Sequence, residues 1–376
     1  MEVNHQEENA LRKASMAVVA LAACLVAAGC GSSSGDGGGS TTASSKAGSS
    51  KSTKKYEVFL SNNYMGNEWR PQMVNAAKLI ASSPDYSKRV NLQVRNVELT
   101  PAKQIASLQA IIRQKPDAIM VDAASPTALN TTLEQACKAG ILVVTFDQIA
   151  DTPCAYKMPQ DYAAEAEDMV NWLGTVLKGK GNILMDTGLP GIAISETFVK
   201  VWKQTLAEKY PGIKVVGTFA SQYAPGPELQ GVSAALAQNP KIDGILSGGY
   251  ITSDIKALQR AGRKPVPATG LDVNGNMQQC EKLKLPCFFI GAPSFVSGMA
   301  IENIVKILDK SAAVPKSRPY WTTNYVSTVG NVDFEHQQEV SVVKPGVSYF
   351  PGESPSLITP ITYGPPQLSA SAVLGG

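Results

Sequence analysis

From Lys55 onward the chain alternates short β-rich apolar runs with longer runs whose apolar residues recur at helical spacing. Residues 56–60, 90–97, 118–121 and 142–146 predict strands, separated by predicted helices over 71–82, 101–114 and 125–139. In the second of these helices Ile105, Leu108, Ile111 and Ile112 form one apolar stripe. Pro101 suits its first turn, and Gly140 is a natural left-handed stop for the third. The pattern then repeats. Strands are expected over 182–186, 214–219, 244–246, 269–272 and 287–291, and helices over 162–177, 195–209, 227–238, 252–261, 274–283 and 295–309. Strand–helix alternation requires crossovers and hence parallel sheets. With a break near residues 158–161, the fold class expected is α/β, as two similar doubly wound parallel-sheet lobes.

The ends of the chain read differently. Arg12 and Lys13 precede a short apolar run over 17–29 that stops at Cys30, which has the form of an export signal and is too short to span a bilayer. Leu25-Val-Ala-Ala-Gly-Cys30 resembles a bacterial lipobox, which implies that Cys30 carries the lipid and becomes the new N-terminus. Residues 31–55 are nearly all Gly, Ser, Thr, Ala and Lys, a composition that cannot bury a core, so 30–55 reads as a flexible tether. Residues 344–376 are rich in Pro, Gly and Ser, and read as either a surface strap or a disordered tail.

Composition narrows the function. The 376 residues carry 44% apolar and 17% charged side chains and a net charge of +3, ordinary for a globular protein and without the concentrated basic face that nucleic acid requires. There are two histidines, His5 in the signal and His336 in a polar stretch, so a His-dependent triad or multi-His metal site is nearly excluded. No phosphate-loop motif appears, and neither metal nor cofactor is expected. Of six cysteines, Cys24 lies in the leader and Cys30 is the expected lipid anchor. The remaining four, Cys137, Cys154, Cys280 and Cys287, leave three pairings open, against the alternative of four buried thiols. Pairing Cys137 with Cys154 and Cys280 with Cys287 is favoured because each pair flanks one short element.

In open parallel sheets ligands lie outside the carboxyl ends of the strands. Those positions hold Asn63, Tyr64 and Trp69, then Asp147 and Gln148, then Tyr223, Tyr250, Asp272 and Asn274. Carboxylates and amides satisfy hydroxyl groups, and aromatic faces cover the C–H face of a sugar ring. Several have a plainer reading as well: Asp147 and Asp272 as helix caps, Trp69 as core, Asn63 as a turn residue and Tyr250 as a loop residue.

Val58-Phe-Leu-Ser-Asn-Asn63, Lys115-Pro-Asp-Ala-Ile-Met-Val-Asp122, Gly140-Ile-Leu-Val-Val-Thr-Phe-Asp147, Asn239-Pro-Lys-Ile-Asp-Gly-Ile-Leu246 and Ala268-Thr-Gly-Leu-Asp272 are similar to strands of the periplasmic sugar-binding proteins of the ribose/galactose type. The resemblance covers about Lys55 to Val343. It implies a type I periplasmic binding protein with a three-strand hinge, and ligand contacts from Asn63, Asp147, Gln148, Tyr223 and Asp272. The lobes would be 56–159 plus 291–325 and 160–290 plus 326–343, crossing near Pro159, Gly291 and Tyr325. Three positions depart from the family pattern: Gln148 stands where Arg is usual, Ser195-Glu196-Thr197 where an Arg is frequent, and Ala292-Pro293 where a polar hinge residue is usual. The resemblance implies a monomeric, non-enzymatic lipoprotein on the outer face of the cell membrane. It would capture a small polar solute, most simply a monosaccharide, and deliver it to the permease of an ABC importer. The rivals are a nucleoside, autoinducer or amino acid in the same fold, a sensor subunit that presents its ligand, and an exported hydrolase, which the histidine count disfavours.

Overall fold

The computed structural model describes residues 54–98, 100–317, 326–328, 341–346, 348, 350–359 and 368–375. The leader over 1–29, Cys30, all of the tether but its last two residues, His336 and the expected crossing at Tyr325 lie outside the described residues. The first sheet contains β1 (Tyr56–Asn62), β2 (Val90–Asn96), β3 (Ala118–Asp122), β4 (Leu142–Phe146) and β5 (Tyr156–Met158), in the order β2-β1-β3-β4-β5, with all pairings parallel. The second contains β6 (Lys180–Asp186), β7 (Gly212–Phe219), β8 (Gly244–Leu246), β9 (Ala268–Leu271), β10 (Cys287–Ile290), β11 (Val326–Ser327) and β12 (Ser341–Val342), in the order β12-β11-β10-β9-β8-β6-β7.

Helices join the strands: α1 (Trp69–Ser82), α2 (Pro101–Arg113), α3 (Asn130–Lys138), α4 (Tyr162–Val176), α5 (Ala193–Lys209), α6 (Pro225–Gln238), α7 (Ile251–Arg260), α8 (Asn274–Leu283), α9 (Val296–Asp309) and the short α10 (Ala370–Leu374). Both faces of each sheet are covered, which explains apolar runs without alternation. In the first sheet Phe59, Ile119, Val121 and Val143 pack under Leu108, Ile111 and Leu133 of α2 and α3. Val58, Leu60, Met120 and Val144 face Met73 and Ala77 of α1 and Ile301 and Ile304 of α9. In the second sheet Leu184, Ile245 and Phe289 meet α6 and α7. On its other side Trp172 of α4 stacks on Phe288 with ring centroids 5.7 Å apart.

The chain changes sheets after β5, where α4 packs on the second sheet, and again after β10, where α9 returns to the first. One apolar cluster runs on from the first sheet into the second. Disulfides join Cys137 to Cys154 and Cys280 to Cys287.

The structure departs from the expected pattern in three places. α3 starts at Asn130, because the Ser125 hydroxyl takes the amides of Thr127 and Ala128 in a turn that delays it. β5 and the β11–β12 pair are added strands. β11 runs antiparallel to β10, so the second sheet is mixed rather than purely parallel. The tail is partly a strap. Ile358 bridges Val273, and Leu357, Ala370 and Val373 form a small buried cluster with Leu79 of α1.

Candidate functional site

The strand mouths of the two sheets enclose a cavity of about 670 Å³, counted with its opening to solvent. The first lobe supplies Asn63 and Tyr64 after β1, Asn67, Trp69 and Arg70 at the start of α1, and Asp147 and Gln148 after β4. The second supplies Leu189, Ile192 and Ile194 after β6, Tyr223 after β7, Gly248 after β8 and Leu271 of β9. Gln160, Tyr162, Glu165, Ile290 and Ala292 stand at two of the crossings between the sheets. Polar groups are concentrated in the first lobe and aliphatic ones in the second.

Arg70 organises the polar half. The residue is 6% exposed, and its guanidinium pairs with Asp122 beneath the floor and with Asp147 at 3.3 Å. It also lies over the Trp69 ring, 4.9 Å from the centroid. Asn67 caps this turn by accepting the Arg70 amide at 3.0 Å. The buried Asp122 accepts from Asn63 Nδ2 at 3.2 Å, so β1, β3, β4 and α1 are tied by one charged network. Asp147 adopts a left-handed φ of 53° immediately after β4, and its Oδ1 accepts the Tyr162 hydroxyl at 2.7 Å. Trp69 Nε1 donates to the Ala292 carbonyl at 2.7 Å, which fixes the indole against the second crossing. Gln160 Nε2 donates to the Gly291 carbonyl at 2.7 Å and to Glu165.

The second lobe offers a different surface. Tyr223, at φ 51°, shares a hydrogen bond of 3.2 Å with Ser195 Oγ, and burial pushes its phenol pKa up. Gly188 has φ +64°, and a Cβ there would meet the Tyr223 hydroxyl at 2.8 Å. Behind this wall lie three buried carboxylates. Asp186 accepts from Ser221 Oγ at 2.6 Å, and Glu228 from Ser247 Oγ at 2.7 Å and the Tyr250 amide. Asp254 completes the group, which stands without a described cation partner. Desolvation first, and the Asp186 charge second, push Glu228 up to about 8. Among the described residues no group of three or more His, Cys, Asp or Glu is arranged to hold a metal ion.

Of the nine ligand positions expected from sequence, Asn63, Tyr64, Trp69, Asp147, Gln148 and Tyr223 meet in this cavity. The other three stand elsewhere. Tyr250 is 2% exposed and packs in the core as α7 begins, so it offers no ring platform. Asp272 lies one layer behind the wall. Its Oδ1 accepts the Ala292 amide at 3.2 Å, and burial raises its pKa well above the usual carboxylate range. Asn274 is fully buried under the strap, where its Nδ2 donates to the carbonyls of Phe350, Glu353 and Ser354 and its Oδ1 accepts the Phe350 amide at 2.7 Å.

Several cavity residues were not singled out as binding positions, among them Arg70, Gln160, Tyr162 and Glu165. Arg70 was visible as the basic residue nearest a strand mouth. The other three follow the break between the two repeats, and a crossing between lobes necessarily passes the cleft. That position was the signal available for them.

Residues 58–311 match the family model described as periplasmic binding protein domain. No curated protein matches the chain. Among solved structures, an ABC transporter solute binding protein from Thermobispora bispora is 25% identical, with a TM-score of 0.64 over 71% of this chain and 84% of that one. An ABC transporter periplasmic solute binding protein from Actinobacillus succinogenes, with bound D-allose, is 21% identical, with a TM-score of 0.62 over 72% of this chain and 97% of that one. The periplasmic binding protein component of the arabinose ABC transporter from Shewanella is 19% identical, with a TM-score of 0.64 over 72% and 91%. At these identities the last two show a common fold.

Proposed function

Because the chain belongs to the periplasmic binding protein domain family, we propose that it captures a small, neutral, hydroxylated solute, a monosaccharide, between its two lobes. The observation that carries this reading is a single cavity lined by both lobes, with amide, carboxylate and hydroxyl groups on one side and the Trp69 ring and aliphatic residues on the other. Such a site grips hydroxyls by hydrogen bonds and covers the C–H faces of a ring. Structural relatives with bound D-allose or arabinose support the same solute class.

Charge argues against the amino-acid alternative. A free carboxylate needs a fixed cation, and the Arg70 guanidinium already serves Asp122 and Asp147. Adding an anion would place it beside the Asp147 carboxylate. Solute held from both lobes favours the closed arrangement, and the crossings at Gln160 and Ala292 are where the lobes would hinge.

The chain is a binder rather than an enzyme, delivers its solute to an ABC permease and works as a monomer. The leader and Cys30 anchor it to the outer face of the cell membrane by lipid; two acyl chains suffice for stable anchoring. Among the described residues no helix is long and apolar enough to cross a membrane. The lobes follow the segments 56–159 plus 291–325 and 160–290 plus 326–343, with the remainder as tether and tail.

A thermal-shift screen against neutral monosaccharides, nucleosides and amino acids tests the solute class. A saturating monosaccharide at about 100 times its Kd stabilises the folded state by about 2.7 kcal/mol. A shift with amino acids alone overturns the reading, as does turnover of a glycoside.

A further inference from the structure

We propose that Glu165 is held in the cleft as a neutral carboxylic acid and donates its Oε2 proton to an oxygen of the captured solute. The inference deepens the solute-binding reading and rests on it.

The geometry assigns the two oxygens different tasks. Glu165 stands in the first turn of α4, is 1% exposed and lines the cavity. Gln160 Nε2, fixed by the Gly291 carbonyl at 2.7 Å, donates to Glu165 Oε1. Oε1 is therefore an acceptor, the carbonyl oxygen of an acid. Oε2 is buried and has no hydrogen-bond partner among the described residues. A bare anionic oxygen there carries a large desolvation cost, whereas a hydroxyl can wait for an acceptor that arrives with the ligand. A sugar brings such acceptors, including a ring oxygen that can only accept.

The surrounding charges favour the same state. Burial is the largest influence raising the Glu165 pKa, and Asp161 at the start of α4, Asp272 after β9 and Asp147 after β4 all add to it. The nearby cation, Arg70, is engaged by Asp122 and Asp147, and the Tyr162 hydroxyl donates to Asp147. Tyr223 across the cavity is uncharged, its pKa pushed up by burial. A helix N-terminus does favour a carboxylate, but that pull is smaller than the cost of burying an unpartnered charge.

Two measurements decide the matter. The infrared difference spectrum of wild type minus Glu165→Gln at pH 7 is expected to show the carbonyl band of one protonated acid. Calorimetric titration then uses whichever of D-allose, L-arabinose, D-galactose, D-fucose and L-rhamnose binds best, with D-galactosamine as the cationic probe. Glu165→Gln keeps wild-type affinity within about threefold, since the amide also donates. Glu165→Ala, checked for folding by circular dichroism, loses about tenfold. Wild-type affinity falls about tenfold per pH unit once pH exceeds the Glu165 pKa, while the Gln variant stays flat.

Absence of the band overturns the proposal whatever the sugars do. So does a Gln variant that no longer binds, a wild type with a flat alkaline profile, or D-galactosamine binding much better than D-galactose and only to the carboxylate form. If none of the sugars binds wild type, the solute reading fails by itself, and the spectrum still reports the proton.

Discussion

Replacing Arg70 by Met removes the cation that joins Asp122 and Asp147. Asp122 is fully buried and would retain the amide of Asn63 at 3.2 Å as a donor, which does not balance its charge. Stranding a buried charge in this way costs about 3–5 kcal/mol. The Asp147 side chain is 13% exposed and keeps the Tyr162 hydroxyl at 2.7 Å, so the loss there is milder. Asp122→Asn alone should cost less than Arg70→Met, since Arg70 keeps Asp147. The double variant Arg70→Met with Asp122→Asn leaves no fully buried stranded charge and should recover about 2–3 kcal/mol relative to the sum of the single losses. Urea denaturation of the four proteins, followed by tryptophan fluorescence, measures the coupling. In thermal unfolding, Arg70→Met should lower Tm by roughly 10 °C at about 2–4 °C per kcal/mol. Single losses that add within about 0.5 kcal/mol would show that the two side chains are energetically independent, and the network argument would be wrong.

Three further outcomes follow from the structure. Glu228→Gln should leave stability nearly unchanged near pH 4 and raise it by pH 8. Glu228 is pushed up to about 8 when folded, so the wild type loses stability as pH rises from the unfolded carboxylate range toward that value; melting curves across pH give the sign. Asn274→Ala removes four hydrogen bonds that hold the strap, and should cost about 1–3 kcal/mol and open the chain near Phe350 and Ser354 to limited proteolysis while solute affinity changes little. Reduction of Cys137–Cys154, which are 17 residues apart, should destabilise the first lobe by about 3 kcal/mol in a chain-entropy account, measured as a drop in urea midpoint with dithiothreitol.

The two-lobed architecture was legible because β1, β3 and β9 are short apolar runs buried on both faces, each followed by a helix. Strand ends then pointed to Asn63, Asp147 and Tyr223 without knowledge of tertiary contacts. What was not legible depends on partners distant in the chain. β5 is three residues long and gains definition from β4 and from a bridge between Lys157 and Ser317. Asp272 and Asn274 occupy the right strand mouth, but a strap some 80 residues downstream covers it, with Thr359 donating to the Asp272 carbonyl at 2.6 Å. Nothing in a Pro/Gly/Ser-rich tail specifies where it docks. Glu165 reads as an ordinary first-turn acid, and only the cavity and the unpartnered oxygen reveal a different role.

Calorimetric titration of the purified protein with neutral monosaccharides, repeated on Trp69→Ala and Asp147→Ala, addresses the interlobe cleft directly. One sugar should bind with one-to-one stoichiometry, and each substitution should weaken it at least tenfold. A sugar that binds both variants as tightly as wild type would mean that the solute is held elsewhere.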